Sequence, residues 1–179
     1  SGRFTMGPEV EKFEKQFAEF FGVKHAKMVN SGSSANLLMM QSLRYSTDYP
    51  ISPLDGVIVP AVSWSTTFYP VCQAGFQLIF ADVDNNGNMN IDGIKKAYTK
   101  EVKAIIIVHL NGLSCDLDPI LEFVKKKNIY LIEDCSQSHG ATYKGRKVGS
   151  FGDISTWSFC QDKIISTGGE GGMISTNNK

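Results

Sequence analysis

The chain has 179 residues, of which 42% are hydrophobic, and its 18 basic and 18 acidic residues give a formal net charge of zero. This length suits a single soluble α/β core, since domains commonly hold about 100 to 200 residues. Because charges of both signs are interspersed without long runs, the chain lacks the electrostatic footprint of a protein that binds nucleic acid or an anionic membrane.

Helix and strand signals alternate from near the start of the chain. Apolar residues recur at helical spacing behind Pro8, and Gly22 is a stop signal, so residues 8–21 are predicted to form an amphipathic helix. Residues 30–36 open a second helix that carries apolar residues up to Leu43. Further strands are predicted over residues 26–29, 56–59, 76–81, 102–109 and 129–133, with helical segments near 64–74, 92–99 and 117–127.

This alternation predicts the fold class. Continuous apolar strands separated by helices favour an α/β fold with a mostly parallel sheet covered by helices on both faces. Two further strands are predicted near the end, over residues 153–159 and 172–176. Since no repeat, low-complexity segment or linker interrupts the pattern, residues 1–179 are interpreted as one domain, truncated at its C-terminus.

The lengths of the apolar runs and the spacing of the cysteines indicate in which cellular compartment the protein acts. The longest apolar runs, such as residues 104–108, have the length of a strand, whereas a membrane helix needs about 20 residues. The N-terminal segment lacks the apolar core of a secretory signal, so export is not indicated. The cysteines form no C-x-x-C pair and the histidines no ligand spacing with them, which predicts a cytoplasmic protein without a metal site. Cys135, next to Asp134, is either a nucleophile or a small buried apolar residue.

The first candidate site is the turn Ser31–Ala35, which follows a predicted strand and opens a helix. Its small side chains let a ligand approach the backbone, and unpaired N–H groups at a helix start favour an anion such as phosphate. The turn has neither the lysine of a P-loop nor the G-x-G-x-x-G fingerprint. A plain helix cap remains the alternative.

Two later candidates also stand at the ends of predicted strands, where open α/β sheets bind their ligands. Trp64 could place its ring against a planar cofactor, or it could fill the core. Asp134 ends an apolar strand, where its carboxylate could pair with a cationic ring nitrogen or simply cap a helix or turn.

The last candidate is the pair Ser158 and Lys163. A hydroxyl five residues before a lysine can hold a phosphate beside an amine that forms a Schiff base, although Lys163 alone could be a surface residue. Together with the turn Ser31–Ala35, Trp64 and Asp134, the pair matches what pyridoxal 5'-phosphate (PLP) requires. The cofactor needs a phosphate cup, a stacking face, an acidic partner for its ring nitrogen and a lysine.

The chain resembles the N-terminal half of the DegT/DnrJ/EryC1/StrS family of sugar aminotransferases. The resemblance covers nearly the whole chain and rests on several stretches in the family's order. These are Thr5–Val10 with Phe13 and Glu14, Asn30–Ala35, Val108–Gly112, Ile132–Ala141, Lys147–Asp153, and Ser158 through Lys163 to Gly172.

The resemblance implies the large domain of a fold type I, aspartate-aminotransferase-like PLP enzyme, with the small C-terminal domain missing. It also implies a role for each matched residue. Lys163 would carry the internal aldimine and act as general base, Asp134 would pair with the pyridinium nitrogen, and Gln137 would lie near the phenolic oxygen. Trp64 would stack on the ring, and Ser158 with the amides of Ser33, Ser34 and Ala35 would hold the phosphate.

The activity implied by the resemblance is transfer of an amino group from an amino acid, glutamate in this family, to a keto group of a nucleotide-linked sugar. Such amino sugars serve polysaccharide or glycosylated-metabolite biosynthesis. The family's full-length enzymes imply a homodimer with a shared active site. Since the second half is absent, the chain alone is predicted to have at most weak activity.

One spacing departs from the family pattern, and three alternatives stay open. Glu170 follows Lys163 by seven residues where the family has six, so Gly168-Gly169 is interpreted as a one-residue expansion. A PLP-dependent deoxysugar dehydratase shares the scaffold. Its histidine-using branch lacks the lysine that is present here, but other dehydratases retain it. A non-catalytic binding module and a plain nucleotide-binding domain are the remaining alternatives.

Overall fold

The computed structural model describes residues 6–46 and 50–178. Thr5, the first residue of one family-like stretch, therefore lies outside the described residues. The helices are α1 (Pro8–Phe21), α2 (Gly32–Arg44), α3 (Ser65–Gln73), α4 (Ile91–Ala97) and α5 (Leu117–Lys127). The strands are β1 (His25–Val29), β2 (Gly56–Pro60), β3 (Gln77–Ala81), β4 (Val102–Val108), β5 (Tyr130–Asp134), β6 (Thr142–Tyr143), β7 (Arg146–Lys147), β8 (Ile154–Ser158) and β9 (Gly172–Thr176).

Seven of the strands form one mixed sheet in the order β1-β9-β8-β5-β4-β2-β3. The pairs β2–β3, β2–β4, β4–β5 and β5–β8 are parallel, and β9 runs antiparallel to both of its neighbours. The predicted mostly parallel α/β sheet is thus confirmed. β6 and β7 form a separate two-stranded antiparallel hairpin that the sequence analysis did not predict.

Local signals set the bounds of the first two helices. Pro8 stands in the first turn of α1, where its missing N–H costs nothing, and Gly22 ends the helix in the left-handed conformation with φ of 71°. Ser31 is the N-cap of α2, and its hydroxyl accepts a hydrogen bond from the Ser34 amide. α2 therefore begins within the turn that was singled out as a phosphate site.

Side chains alternate between the two faces of the sheet. Val57 and Val59 of β2 pack in a core with α2 and α3, whereas Ile58 packs in a second core with α4 and α5. α1 belongs to a third cluster in which Phe17 lies edge-on against Trp157 of β8, with ring centroids 5.1 Å apart. Helices thus cover both faces, as the continuous apolar strands predicted.

The side chains of the last two residues of β5, Glu133 and Asp134, also lie on opposite faces of the sheet. Asp134 hydrogen-bonds to Asn36 of α2 and Thr67 of α3, while Glu133 hydrogen-bonds to His109. Because successive strand residues point to opposite faces, one carboxylate faces the α2–α3 layer and the other faces away from it. None of the helices in the described parts of the chain is both long enough and apolar enough to cross a membrane.

Candidate active site

A cavity of about 350 Å³ lies at the C-terminal end of β5 and β8 and at the starts of α2 and α3. This is the edge of an α/β sheet at which ligands bind. The cavity brings together six of the eight site residues predicted from the sequence, and the other two, Ser34 and Ala35, do not line it. The six are Ser33, Trp64, Asp134, Gln137, Ser158 and Lys163.

The start of α2 and the end of β8 form one side of the cavity. Gly32 lies so close to β8 that a Cβ atom there would be 2.6 Å from Ser158 Cβ. The amide of Ser34 donates to Ser31 Oγ (3.1 Å) and that of Ala35 to Ser31 O (3.0 Å). Gly32 and Ser33 hold the first two helical positions, whose N–H groups have no partner inside a helix.

These contacts change which amides suit an anion. The sequence analysis named the amides of Ser33, Ser34 and Ala35, but the last two are already engaged by Ser31. It did not name Gly32, whose lack of a side chain allows the close approach to Ser158. The amides of Gly32 and Ser33, with the Ser158 hydroxyl, therefore form the better anion cradle.

The Asp134 carboxylate lies in the floor of the cavity and is 3% exposed. Its Oδ2 accepts hydrogen bonds from Thr67 Oγ1 (3.0 Å) and Asn36 Nδ2 (3.3 Å), and its Oδ1 accepts one from the Ser136 amide (3.1 Å). The carboxylate is thus fixed in one orientation by three donors. Neither Asn36 nor Thr67 was predicted from the sequence, although a polar Asn36 on the apolar side of α2 was a usable signal.

Lys163 lies at the cavity wall with its side chain only 21% exposed. Its Nζ is 3.2 Å from the Asp162 carboxylate, the ion pair that the structure gives it. Hydrogen bonds from Cys160 and from Lys163 lower the pKa of Asp162, so this carboxylate is ionised beside the amine. The placement differs from that of a solvated surface lysine.

Trp64 and Gln137 are the remaining predicted residues at the cavity. Trp64 is the N-cap of α3 and is 73% exposed, so it is not the core filler that was its alternative interpretation. The side-chain oxygen of Gln137 accepts a hydrogen bond from the backbone N–H of Asn111 at 2.9 Å. The NH₂ end of Gln137 is consequently the end that remains to donate to a ligand oxygen.

The expanded segment after Lys163 has a defined shape. Gly168 and Gly169 have φ of 84° and 130°, values that residues with side chains rarely adopt. Thr167 Oγ1 donates to the carbonyl of Glu170, and the Cys160 thiol lies 3.1 Å from the Glu170 carboxylate. The two glycines thus make a turn that brings Glu170 back to the cavity wall.

Behind the cavity, Glu133 is the centre of a buried network. Its carboxylate accepts hydrogen bonds from His109 Nε2 and from the amides of Gly149, Phe151 and Gly152 at 2.6 to 3.1 Å. Burial opposes ionisation of Glu133, but the bonds from His109 and these amides outweigh it and hold the pKa of the carboxyl below its ordinary value. The network ties β5 to the loop before β8.

The buried group of His109, Glu133 and Cys135 has ligand atoms within 4.8 Å of one another, but its atoms already have other roles. His109 Nδ1 accepts from the Cys115 amide, so its Nε2 carries the proton donated to Glu133. Burial first, then the charges of Glu133 and Asp134, raises the pKa of Cys135 well above its ordinary value. A protonated, enclosed Cys135 does not support the nucleophile alternative.

His139 is a buried polar residue on the far side of β8 from the cavity. Its ring is 8% exposed and lies against Trp157 and Phe159. Burial lowers the pKa of His139 to about 4, with a smaller contribution from the positive charge of Lys163 and against an opposing contact with the Ser158 backbone. The imidazole is therefore neutral at neutral pH.

The seven-stranded sheet, with β9 reversed, places the cavity at the ends of β5 and β8. This α/β architecture is that of the fold type I PLP-dependent aminotransferases among its structural neighbours. More narrowly, the chain belongs to the DegT/DnrJ/EryC1/StrS aminotransferase family, whose model matches residues 1–179. The recognition made from the sequence motifs is confirmed.

Named relatives include both transaminating and dehydrating enzymes. The chain is 42% identical over its whole length to GDP-4-keto-6-deoxy-D-mannose 3-dehydratase of Yersinia pseudotuberculosis and covers 46% of that protein. It is 41% identical, over 98% of its length, to GDP-perosamine synthase of Escherichia coli O157:H7 and again covers 46%. The solved E. coli GDP-4-keto-6-deoxy-D-mannose-3-dehydratase with bound hydrated PLP superposes with a TM-score of 0.93 at 43% identity, over 97% of this chain and 45% of that one.

The chain thus spans less than half the length of the curated relatives it matches.

Proposed function

We propose that the full-length protein is a PLP-dependent aminotransferase that transfers an amino group from an amino acid to a keto group of a nucleotide-linked sugar. The observation that carries the proposal is the single cavity that joins Lys163 to Asp134 and to the cradle of Gly32, Ser33 and Ser158. An amine, a carboxylate and an anion cradle within one cavity are the groups that PLP requires.

The residues present fit the cofactor at each of its parts. The helix start at Gly32 and Ser33, with the Ser158 hydroxyl, suits the phosphate. Asp134 presents a fixed carboxylate to a ring nitrogen. Trp64, 73% exposed at the cavity, offers an aromatic face for stacking. The NH₂ group of Gln137 is available for the phenolic oxygen, because its oxygen is held by Asn111.

When bound, PLP supplies an electron-withdrawing ring that makes a proton on the α-carbon of an amino acid acidic. Asp134 favours that effect because its carboxylate keeps a positive charge on the ring nitrogen. Lys163 Nζ would attach the resting cofactor and, as the displaced neutral amine, would be the general base for the α-carbon proton. Asp162, 3.2 Å from this nitrogen, would hold its protonated form at the cavity wall.

The second candidate is a PLP-dependent 3-dehydratase on the same scaffold, which the dehydratase relative supports. Lys163 favours amino transfer, because the histidine-using dehydratase branch lacks this lysine. The amino donor is proposed to be glutamate, and the acceptor a GDP- or dTDP-linked 4-keto sugar in amino-sugar or polysaccharide biosynthesis. Glu170 lines the cavity together with Lys163, so the glycine turn before Glu170 is proposed to shape the part of the pocket that the substrate contacts.

An assay of the full-length protein with glutamate and a keto-sugar nucleotide separates the candidates. The aminotransferase is expected to form 2-oxoglutarate and amino sugar in equal amounts. Deoxygenated sugar without net incorporation of amine would instead establish the dehydratase. If neither product forms although PLP is bound, the catalytic assignment fails, and the non-catalytic binding module is left.

Three further properties belong to the same proposal. Residues 1–179 are the PLP-binding large domain, and a smaller C-terminal domain completes the protein, in agreement with the 46% of the relatives that the chain covers. The full-length protein is a homodimer with a shared active site. It acts in the cytoplasm, a location with which the free thiols of Cys72, Cys115, Cys135 and Cys160 agree.

A further inference from the structure

Asn36 stands between α2 and the Asp134 carboxylate and has a defined amide orientation. Its Oδ1 accepts a hydrogen bond from Thr156 Oγ1 at 2.6 Å. Its Nδ2 faces two acceptors, the Asp134 carboxylate at 3.3 Å and the carbonyl of Thr66 at 3.2 Å. A flipped amide would turn its oxygen toward both acceptors and lose both bonds, so only one orientation fits.

The residues of the hydrogen-bond network around Asn36 and Asp134 come from distant parts of the sequence. Asn36, Thr67, Asp134 and Thr156 lie on α2, α3, β5 and β8 respectively, and all four are at most 3% exposed. A second hydroxyl chain reaches the same oxygen, since Ser63 Oγ lies 3.0 Å from Thr67 Oγ1, which donates to Asp134 Oδ2. Buried networks of this kind, with every member satisfied, hold one geometry.

We propose that Asn36, oriented by Thr156, is a positioning residue that aims the Asp134 carboxylate at the cofactor's ring nitrogen. This inference rests on the proposed function, because it concerns how the carboxylate meets PLP. Asn36 and Thr67 occupy Oδ2, and the Ser136 amide occupies one acceptor site of Oδ1. The second acceptor site of Oδ1 therefore remains to accept a hydrogen bond from a ligand in the cavity.

Thr156 is the informative position for a test, because it does not line the cavity and its hydroxyl donates to Asn36. Thr156→Val keeps the shape but removes the donor, so the Asn36 amide loses the bond that fixes it. Thr156→Ser keeps the donor. Asn36→Leu removes the contact to Asp134 directly. Ser155→Ala is the matched control, since Ser155 loses an equally buried hydroxyl bond, to Gly149 O, on the opposite face of β8.

The experiment titrates full-length wild type and variants with PLP and records the dissociation constant, the visible absorption of the bound cofactor and the melting temperature without PLP. Asn36→Leu is expected to weaken PLP binding about tenfold and Thr156→Val roughly threefold, both with altered absorption. Thr156→Ser is expected to match wild type. Ser155→Ala is expected to lower the melting temperature while PLP affinity and absorption stay unchanged.

The outcomes separate this inference from the proposed function. If wild type itself binds no PLP, the proposed function fails. If wild type binds PLP and Thr156→Val retains its affinity and absorption, the positioning role is overturned. The same holds if Ser155→Ala changes the affinity as much as Thr156→Val does, because the effect would then reflect general destabilisation. Since Thr156→Val keeps the shape of threonine and Thr156→Ser keeps its hydroxyl donor, the comparison stands even if Asn36→Leu does not fold.

Discussion

At the scale of single residues, Gly32 decides how closely the two sides of the anion cradle can approach. Replacing Gly32 with Ala would put a Cβ atom 2.6 Å from Ser158 Cβ and 3.0 Å from its hydroxyl, so the helix start and β8 must separate. We expect Gly32→Ala to weaken PLP binding by at least about tenfold, because small displacements in a cradle are costly. Equilibrium titration with PLP measures the change.

Gly56→Ala is the matched control for this prediction. Gly56 is the first residue of β2 and does not line the cavity. A Cβ atom at Gly56 would lie 2.7 Å from Ile79 Cδ1 of β3. It is expected to lower stability while leaving PLP affinity unchanged. Equal losses of affinity in both variants would show that the Gly32 contact has no specific role in the cradle.

Protonation of His139 opposes folding. Because the pKa of His139 is about 4 in the folded protein and about 6.5 when exposed, its neutral form favours the folded state. The contribution of neutral His139 to the free energy of unfolding is therefore fully present above pH 6.5. It is lost, by up to ~3 kcal/mol, as the pH is lowered from 6.5 to about 4.

His139→Phe is expected to remove this part of the acid sensitivity, because the ring would keep its contacts with Trp157 and Phe159 without a group to protonate. Urea unfolding at pH 7.5 and pH 4.5 measures the difference. The exposed His25 supplies the control His25→Gln, which should retain the wild-type dependence. An unchanged pH dependence in His139→Phe would refute the prediction.

The sequence predicted the candidate reactive groups but not the residues that hold them. Lys163, Asp134 and Ser158 were named because amine, carboxylate and hydroxyl chemistry is visible in a motif. Asn36 and Thr67 were missed because their contacts with Asp134 span 98 and 67 residues of sequence. Such contacts exist only after α2, α3 and β5 have packed together.

At the scale of elements, Glu133 joins β5 to the loop that leads into β8. Glu133→Gln would replace one acceptor oxygen with an NH₂ group, and on either side that group would face two donors. We expect the variant to lose about 3 kcal/mol of stability at neutral pH, since buried donors would be left without a partner. Chemical denaturation measures the loss.

The same variant has a pH signature. The pKa of Glu133 is below 4.5 in the folded protein, so its contribution to stability is present above pH 4.5 and is lost as the pH falls further. Glu133→Gln should lack this part of the acid transition. Glu122→Gln, at an exposed site on α5, should change stability by no more than about 0.5 kcal/mol. Comparable losses in both variants would contradict the network.

Element types were predictable from periodicity, whereas strand direction and short elements were not. The five strands predicted between residues 26 and 133 all form, because each is a run of apolar or alternating residues bounded by turn signals. The hairpin of β6 and β7 has two residues per strand, too few for a period to show. The reversal of β9 follows from its pairing with β1 and β8, which no local pattern encodes.

At the scale of the whole molecule, the chain carries the proposed cofactor residues but spans less than half of the length of its relatives. We expect the isolated chain to show at least about 100-fold lower kcat/KM than the full-length protein with glutamate and a keto-sugar nucleotide, because in the proposed homodimer groups from the second half and the partner subunit would complete the site. Steady-state kinetics of both proteins provides the measurement. Equal activity would show that residues 1–179 suffice.

The central claim is that Lys163 is the residue that binds PLP covalently. The most direct test is to incubate the full-length protein with PLP, reduce it with borohydride, and identify the modified peptide by mass spectrometry. A pyridoxyl group is expected on Lys163, and Lys163→Ala should show none there, while Asp162→Asn should still be labelled. If reduction fixes no pyridoxyl group on Lys163 of the wild-type protein, or fixes it on another lysine, the proposed active site is wrong.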